Sequence, residues 1–507
     1  MARRPNIVLV TSDQHRGDSF GFEKPEIRTP HLDGLAADGT RFAACITPNV
    51  VCQPARASLL TGQLPLTHGV RDNGIDLPTA TGERGFAAAL ARAGYRTGFV
   101  GKAHFSTSHT FAPTGTPECR SSMASYPPTW YGPYMGFEHV ELVVEGHNVW
   151  PPMKPPAGQH YEHWYYADGR GDEKNRLYQA HAIEGTGAVQ TWHSALPVAW
   201  HNSTWIGNQA IRYIERHRDE PFFLWASFPD PHHPFDAPLP WSRLHAPDDL
   251  SLPAHRTTDF DRRPWWHAAS MASNQDPRYE KIRGGFLRYP RQSDAQLREI
   301  IANYYGMIAL IDHNVGRILA ALNEHDLARD TYIVFTSDHG EWLGDHGLLF
   351  KGPMHYEGLL RIALVVRGPD VVAGRVERSP VSLIDLAPTF EAWTGADAML
   401  LHDGRSLAPM LRGTGEAREY AYNEWDVGAG RCGVPLRLRT VRTERYKLTV
   451  ELDSGAGELY DLAVDPDEMD NRFDDPGIAG IARELRAMID ARPTDGLAPC
   501  YEPSGMA

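Results

Sequence analysis

The chain has 507 residues, of which 42% are hydrophobic and 10% aromatic, enough for one large α/β domain and a smaller companion. Its net charge of −14 argues against a nucleic-acid partner, because phosphate neutralisation needs a basic surface. Any anionic substrate must therefore be drawn by a local positive site. The five cysteines, Cys45, Cys52, Cys119, Cys432 and Cys500, show neither a disulfide framework nor zinc-ligand spacing, which fits a reducing compartment. Met1-Ala2-Arg3-Arg4-Pro5 runs straight into an apolar strand, leaving no room for a signal-peptide core. No apolar run approaches the ~18 residues of a membrane span, so a cytoplasmic protein without a membrane partner is expected.

Asn6–Val10 is a continuous apolar, β-branched run, as in a strand buried on both faces of a parallel sheet. It ends at Asp13 and Gln14, where open α/β sheets place ligands, although a turn Asp would look the same. Thr29 to Gly39 reads as a helix, and Arg41–Thr47 as the next strand. In Val51–Gly62, Pro54 suits a first helical turn and Gly62 can end the helix. Cys52 then sits at a helix N-terminus that favours an anion, with Arg56 four residues on and on the same face. A lone cysteine is more often small core filler.

Gly82–Gly94 fits a helix and Tyr95–Val100 a strand, which ends at Lys102 and His104, two apart and able to point into one cleft. Residues 107 to about 200 read as an irregular aromatic-rich insertion, with Trp130, Tyr131, Tyr134, His147, Trp150, Trp164, Tyr165 and Tyr166. These rings could line a pocket for an aryl or quaternary ammonium group, but packing within the insertion accounts for most of them. Ser203–Arg218 is a helix and Pro221–Phe228 a strand, ending at His232 and His233 in a proline-stiffened loop. The 250–290 stretch reads as a surface excursion. Ser293 to Gln296 forms a capping box opening a long amphipathic core helix. The Thr331–Phe335 strand leads to Asp338, His339 and Glu341, and the chain continues through Asp345 and His346, read as loop residues, to Lys351. Ile362–Val366 is a further strand and Ser382–Trp393 a helix. The alternating runs Arg437–Val441, Tyr446–Val450 and Glu458–Leu462 suggest a small antiparallel sheet covered by a helix near Ile478–Arg492. The tail from Pro493 is expected to be loose or to dock on another subunit.

Cys52-Gln53-Pro54-Ala55-Arg56 followed by Ala57-Ser58-Leu59-Leu60-Thr61-Gly62 resembles the signature of the type I sulfatases. Gly101-Lys102-Ala103-His104, Pro231-His232-His233-Pro234, Asp338-His339 with Lys351, and Glu458 to Asn471 resemble further elements of that family. The resemblance runs from Asn6 to about Asn471. It implies an alkaline phosphatase-like fold: a large, mostly parallel mixed sheet flanked by helices (residues 1–414), plus a small antiparallel sheet with a helix (residues 415–507). It implies that Cys52 is oxidised by a formylglycine-generating enzyme to formylglycine, whose hydrate is the nucleophile. Asp13, Gln14, Cys52, Asp338 and His339 would bind one divalent metal ion. Arg56, Lys102 and Lys351 would offset charge on the ester oxygens, His104 would assist release of sulfate, and His232, a better match than His233, would support leaving-group departure. A homo-oligomer acting on a small-molecule sulfate ester is expected.

Many sulfatases carry two adjacent aspartates after the first strand and Asp-Asn after the later one. Here Asp13-Gln14 and Asp338-His339 replace them, trading a carboxylate for an imidazole. Calcium remains the first expectation, with manganese the alternative toward which the softer donors shift the site. The same pairs resemble the choline-sulfatase branch and the phosphonate monoester hydrolases. The expected activity is hydrolysis of aryl or small alkyl sulfates with phosphonate monoester and phosphodiester side activity. The alternatives are a primary phosphonate monoester hydrolase or phosphodiesterase, a metal-dependent phosphatase (disfavoured because those use Ser or Thr), and a silent binding protein in which Cys52 stays a thiol.

Overall fold

A computed structural model describes residues 4–144, 151–272, 291–494 and 496–505. His147, Trp150 and the 273–290 part of the expected surface excursion lie outside the described residues. The strands in chain order are β1 (Asn6–Ser12), β2 (Thr40–Phe42), β3 (Cys45–Ile46), β4 (Arg96–Gly101), β5 (His139–Leu142), β6 (His181–Ile183), β7 (His193–Ser194), β8 (Phe222–Phe228), β9 (Thr331–Ser337), β10 (Arg361–Ile362), β11 (Leu364–Arg367), β12 (Arg375–Glu377), β13 (Val381–Ser382), β14 (Ala421–Val427), β15 (Leu436–Arg442), β16 (Tyr446–Glu451) and β17 (Gly457–Asp461).

The main sheet has the order β12-β2-β11-β9-β1-β8-β4-β5. Its centre, β9 to β5, is parallel, and β11 runs antiparallel beside β9. Every residue of β1, β8 and β9 is buried, as expected of strands covered on both faces. Burial of each such Val, Leu, Ile or Phe side chain stabilises the fold by about 1.5–3 kcal/mol. Register then places the chemistry. Ser12 lies opposite Ser337 on one side and Phe228 on the other. The next residues, Asp13 and Asp338, therefore leave the sheet side by side at its carboxyl edge. Gly101 lies opposite Ser227, which brings Lys102 to the same edge.

The capping box is present. The Ser293 hydroxyl accepts from the Gln296 amide, the Gln296 side chain accepts from the Ser293 amide, and the helix runs Asp294–Glu324 with its apolar face in the core. The 41–47 strand is instead two pieces: β2 joins the main sheet, and β3 pairs with β10 and β13 in a separate three-stranded sheet. The 362–366 strand divides the same way, because β10 follows β3 while β11 stays with β9. The helix expected over 82–94 is confined to Phe86–Arg92, with Gly85 at its N-cap. The 382–393 helix opens with a 3₁₀ turn, Leu383–Asp385, before Leu386–Thr394.

The 107–200 insertion is more regular than expected. It adds β5 to the main sheet and carries helices His160–Tyr166 and Gly171–Gln179. Tyr161 and Tyr165 are buried against each other, and Tyr161 packs on Trp205 outside the insertion, so these rings join the insertion to the core on one face of the main sheet. The small sheet has four strands, β14-β15-β16-β17, and helix Ala479–Asp490 packs on it. The tail docks on its own chain: the Ser504 amide donates to Gly74 O at 2.7 Å and its hydroxyl to Asp76 at 2.8 Å. Among the described residues no helix is long and apolar enough to cross a membrane.

Candidate active site

Cys52 opens a helix, Cys52–Thr61, whose ten residues are all buried. Val51 precedes it in an extended conformation, and Gly62 ends it at φ 68° with its amide on Ser58 O at 2.8 Å. Asn73 supplies the missing cap, its Oδ1 accepting from the Gln53 amide at 2.9 Å. The helix therefore presents Cys52 Sγ to the carboxyl edge of the sheet.

Around that sulfur the structure gathers residues from five distant segments. His339 Nε2 and Lys351 Nζ each lie 3.1 Å from it, and Asp13 Oδ1 lies at 3.7 Å. His104 interacts with it electrostatically. Lys351 Nζ also donates to Gln14 Oε1 at 3.1 Å and lies 3.0 Å from His232 Nε2. Lys102 Nζ pairs with Asp13 Oδ2 at 2.5 Å. His232 therefore faces the cluster, while His233 lies behind it, with Nδ1 2.9 Å from Gln14 Nε2.

Arg56 takes a different place from the one expected of a group on the ester oxygens. It is 1% exposed. Its Nε donates to Asp338 at 2.8 Å and Nη2 to Asp13 at 3.3 Å, while Nη1 donates to Lys102 O at 2.8 Å and Ser227 Oγ at 2.9 Å. The guanidinium thus holds the two carboxylates from behind.

The charge balance favours an anion. Lys102 and Arg56 face the carboxylates of Asp13 and Asp338, and Lys351 adds a further ammonium beside Cys52. Burial raises the Cys52 thiol, but Lys351, Lys102, His339 and His104 outweigh it and bring it well below the ordinary thiol range. Burial and Cys52 also raise Asp13, yet Lys102, His232 and Arg56 hold it below the usual carboxylate range. Asp338 is raised by burial and then by the Asp13 charge. Burial, reinforced by Lys351, lowers His232 to about 4, and burial lowers His104. His339 is raised, because Asp338 and Cys52 outweigh burial and Lys351.

One donor atom from each of Asp13, Cys52, Asp338 and His339 lies within 4.8 Å of the others. The His339 ring is oriented by Nδ1 at 2.8 Å from Gly340 O, which turns Nε2 inward as a ligand nitrogen requires. Two carboxylates and an imidazole suit a divalent cation, so these residues fit a metal. Gln14 Oε1 reaches the same cluster through Lys351.

A family profile described as Sulfatase matches residues 5–396. The chain belongs to the sulfatase family. This places it in the alkaline phosphatase superfamily and makes it a sulfatase-type hydrolase. A second profile, "N-sulphoglucosamine sulphohydrolase, C-terminal", matches residues 344–494. The sulfatase is 29% identical to the multifunctional alkaline phosphatase superfamily protein PehA of Trinickia caryophylli, across 95% of this chain and 93% of that protein. It is 27% identical to a choline-sulfatase of Rhizobium meliloti, across 93% and 83% respectively. The phosphonate monoester hydrolase of Silicibacter pomeroyi superposes with a TM-score of 0.78 at 25% identity, covering 96% of this chain and 95% of that one.

Two further residues of this sulfatase's site have no role in the motif reading. Glu341, inside the Asp338 block, accepts from the Gln14 amide group and from the Leu343 and Phe350 amides, and so turns Gln14 Oε1 toward Lys351. Ser227 Oγ donates to Lys102 O at 2.6 Å while it accepts from Arg56. Glu341 stood within a quoted motif, but Ser227 is an ordinary strand serine that no spacing marks. Asp345 and His346 lie apart from the cluster: Asp345 pairs with Arg16 at 2.7 Å, and His346 stacks on Tyr356.

Proposed function

We propose that this sulfatase hydrolyses aryl or small alkyl sulfate monoesters at Cys52, with side activity on phosphonate monoesters and phosphodiesters. The supporting observation is the pair of lysines, Lys102 and Lys351, that with His104 and His232 surrounds one buried nucleophile position. A sulfate monoester presents several oxygens around one sulfur, and two fixed ammonium groups offset their charge as the bond breaks.

Asp13, Gln14, Asp338 and His339, with the side chain at position 52, would hold one divalent ion, calcium first and manganese as the alternative. When bound, such an ion polarises the ester and lowers the pKa of a coordinated hydroxyl. Formylglycine at position 52, made from the cysteine by a maturation enzyme, supplies a hydrated aldehyde as nucleophile. Arg56 holds Asp13 and Asp338 in a fixed geometry, and Glu341 does the same for Gln14. His104, kept neutral by burial, takes a proton at the nucleophile position as sulfate is released. The His232 tautomer follows from its Nδ1 at 2.6 Å from His233 O: Nδ1 carries the proton and Nε2 accepts from Lys351. Lys351 is thus the proton-bearing member of that pair, and His232 supports its approach to the leaving oxygen.

The Asp-Gln and Asp-His pairs favour a second reading, a primary phosphonate monoester hydrolase. Matched aryl sulfate, phosphonate monoester and phosphate diester decide between them by kcat/KM, with Cys52→Ala as control. The fastest rate on sulfate, lost in Cys52→Ala, is expected. The fastest rate on phosphonate makes the second reading correct, and undiminished activity in Cys52→Ala removes Cys52 from the chemistry. Peptide mass analysis of the active protein reads the conversion of the thiol to the aldehyde.

A further inference from the structure

His104 differs from the other histidines at the site. The ring of His232 is oriented through Nδ1 by His233 O, and that of His339 through Nδ1 by Gly340 O. His104 Nδ1 is buried without a hydrogen-bond partner among the described residues. No carbonyl fixes the plane of this imidazole, so its aim at Cys52 depends on the backbone that carries it.

That backbone turns sharply. Gly101 leaves β4 at φ 115°, and His104 itself takes the left-handed conformation at φ 53°. A side chain other than glycine is uncommon there and costs free energy unless its surroundings hold it. What holds it is a single carboxylate. Glu118, in the turn region of the insertion, accepts from the amides of three successive residues: His104, Phe105 at 3.1 Å and Ser106 at 3.1 Å. Tyr134 adds its hydroxyl at 2.7 Å. Glu118 is 6% exposed, and burial raises its carboxyl to about 7 even though the Tyr134 hydroxyl and the three amides oppose the shift, so these bonds form away from water. Three successive amides converging on one carboxyl group make a nest whose geometry depends on that acceptor.

We propose that Glu118 is the positioning residue for His104, its carboxylate gathering the 104–106 amides and so fixing the turn that aims the imidazole at Cys52. The proposal rests on the reading of His104 as a functional group of the ester hydrolysis. Glu118 is bonded to the 104–106 backbone and Tyr134 and not to Cys52, and it acts only through the loop. Glutamine at this position keeps the shape but turns an amide group, itself a donor, toward backbone donors.

A double-mutant cycle tests this with the aryl ester that the enzyme cleaves fastest. Glu118→Gln and His104→Ala are compared singly and together for kcat, KM and thermal midpoint. Glu118→Gln is expected to lower kcat by up to about 100-fold, with KM changed less than about threefold, as small misplacements of a catalytic group do. In the His104→Ala background the same substitution is expected to change kcat by less than about twofold, because the group it positions is gone. Multiplicative losses would show that Glu118 acts elsewhere and overturn the proposal. So would an unchanged kcat for Glu118→Gln beside an impaired His104→Ala. Unchanged activity in His104→Ala would overturn the reading of His104 and this inference with it. If Glu118→Gln does not fold, Tyr134→Phe removes one donor and leaves the carboxylate in place. A smaller kcat loss that disappears in the His104→Ala background supports the proposal, and an unchanged kcat overturns it.

Discussion

Replacing Arg56 by methionine separates two roles for a buried arginine. In the structure all of its hydrogen bonds go to the protein: Asp13, Asp338, Lys102 O and Ser227 Oγ. Methionine fills much the same space but takes the guanidinium from both carboxylates, leaving Asp338 with His339 at 4.0 Å and Asp13 with Lys102 and, at 3.7 Å, His339. Removing one member of a buried ion pair costs about 3–5 kcal/mol, because the remaining charge is buried and uncompensated. For 507 residues the unfolding entropy is about 1.1 kcal/mol/K, so the thermal midpoint should fall by about 3–5 °C in chelator-treated protein. Calorimetry on both proteins, with and without calcium or manganese, reads this directly. Because the carboxylates lose their brace, the variant should also need more added metal for activity, while KM for the ester at saturating metal stays near the wild-type value. The reasoning fails if the midpoint and the metal requirement are unchanged while KM rises steeply. That result would mean that Arg56 meets the substrate, as the motif alone had suggested.

Lys351→Met should lower kcat/KM on the aryl sulfate by about 100- to 1000-fold, the usual loss when one preorganised charge is removed from a reacting group, as read by steady-state kinetics. Gly101→Ala should destabilise the fold by at least about 3 kcal/mol, since φ is 115° and a Cβ would lie 1.9 Å from Ser227 O; soluble yield and chemical denaturation check it. His68 tests a pH dependence. Burial lowers it from 6.5 to about 3, with Nε2 at 2.9 Å from Ser58 Oγ and Nδ1 accepting from the Val70 amide. Its folded form binds the proton less well than the unfolded chain, so its contribution is fully present above pH 6.5 and is lost as pH falls toward about 3. Over that window wild type should lose about 1.4 kcal/mol per pH unit relative to His68→Gln in urea melts. Parallel slopes would exclude His68 as a source of acid lability.

Much of the architecture was legible in the chain itself. The largely apolar runs at Asn6–Val10, Pro221–Phe228 and Thr331–Phe335 identify strands buried on both faces, because no other element buries such runs so economically in length. The Cys52 motif and its distant partners fixed the family, and with it the residues that meet at the sheet edge. Local chemistry also set the Ser293 capping box and the Gly62 helix end. What sequence could not supply was the third dimension of the polar groups. β14 was not expected, because Asn423 and Glu424 look solvent-facing, yet both are buried and help anchor the 47–49 loop: the Asn423 side chain donates to Thr47 O and the Asn49 side chain to Glu424 O.

The sequence by itself determined which residues carry charge and chemistry, and where the strands that deliver them end. Only the tertiary structure decided how those charges face. Ser12, Ser337 and Phe228 come into register through strand pairing across more than 300 residues of chain, and that register alone sets Asp13 beside Asp338. The same packing turned Arg56 onto the carboxylates, His232 toward Lys351 and Glu118 under the His104 loop. A hydrogen bond needs its partners within a few tenths of an ångström, and for groups this far apart in sequence that distance is set by the packed core between them.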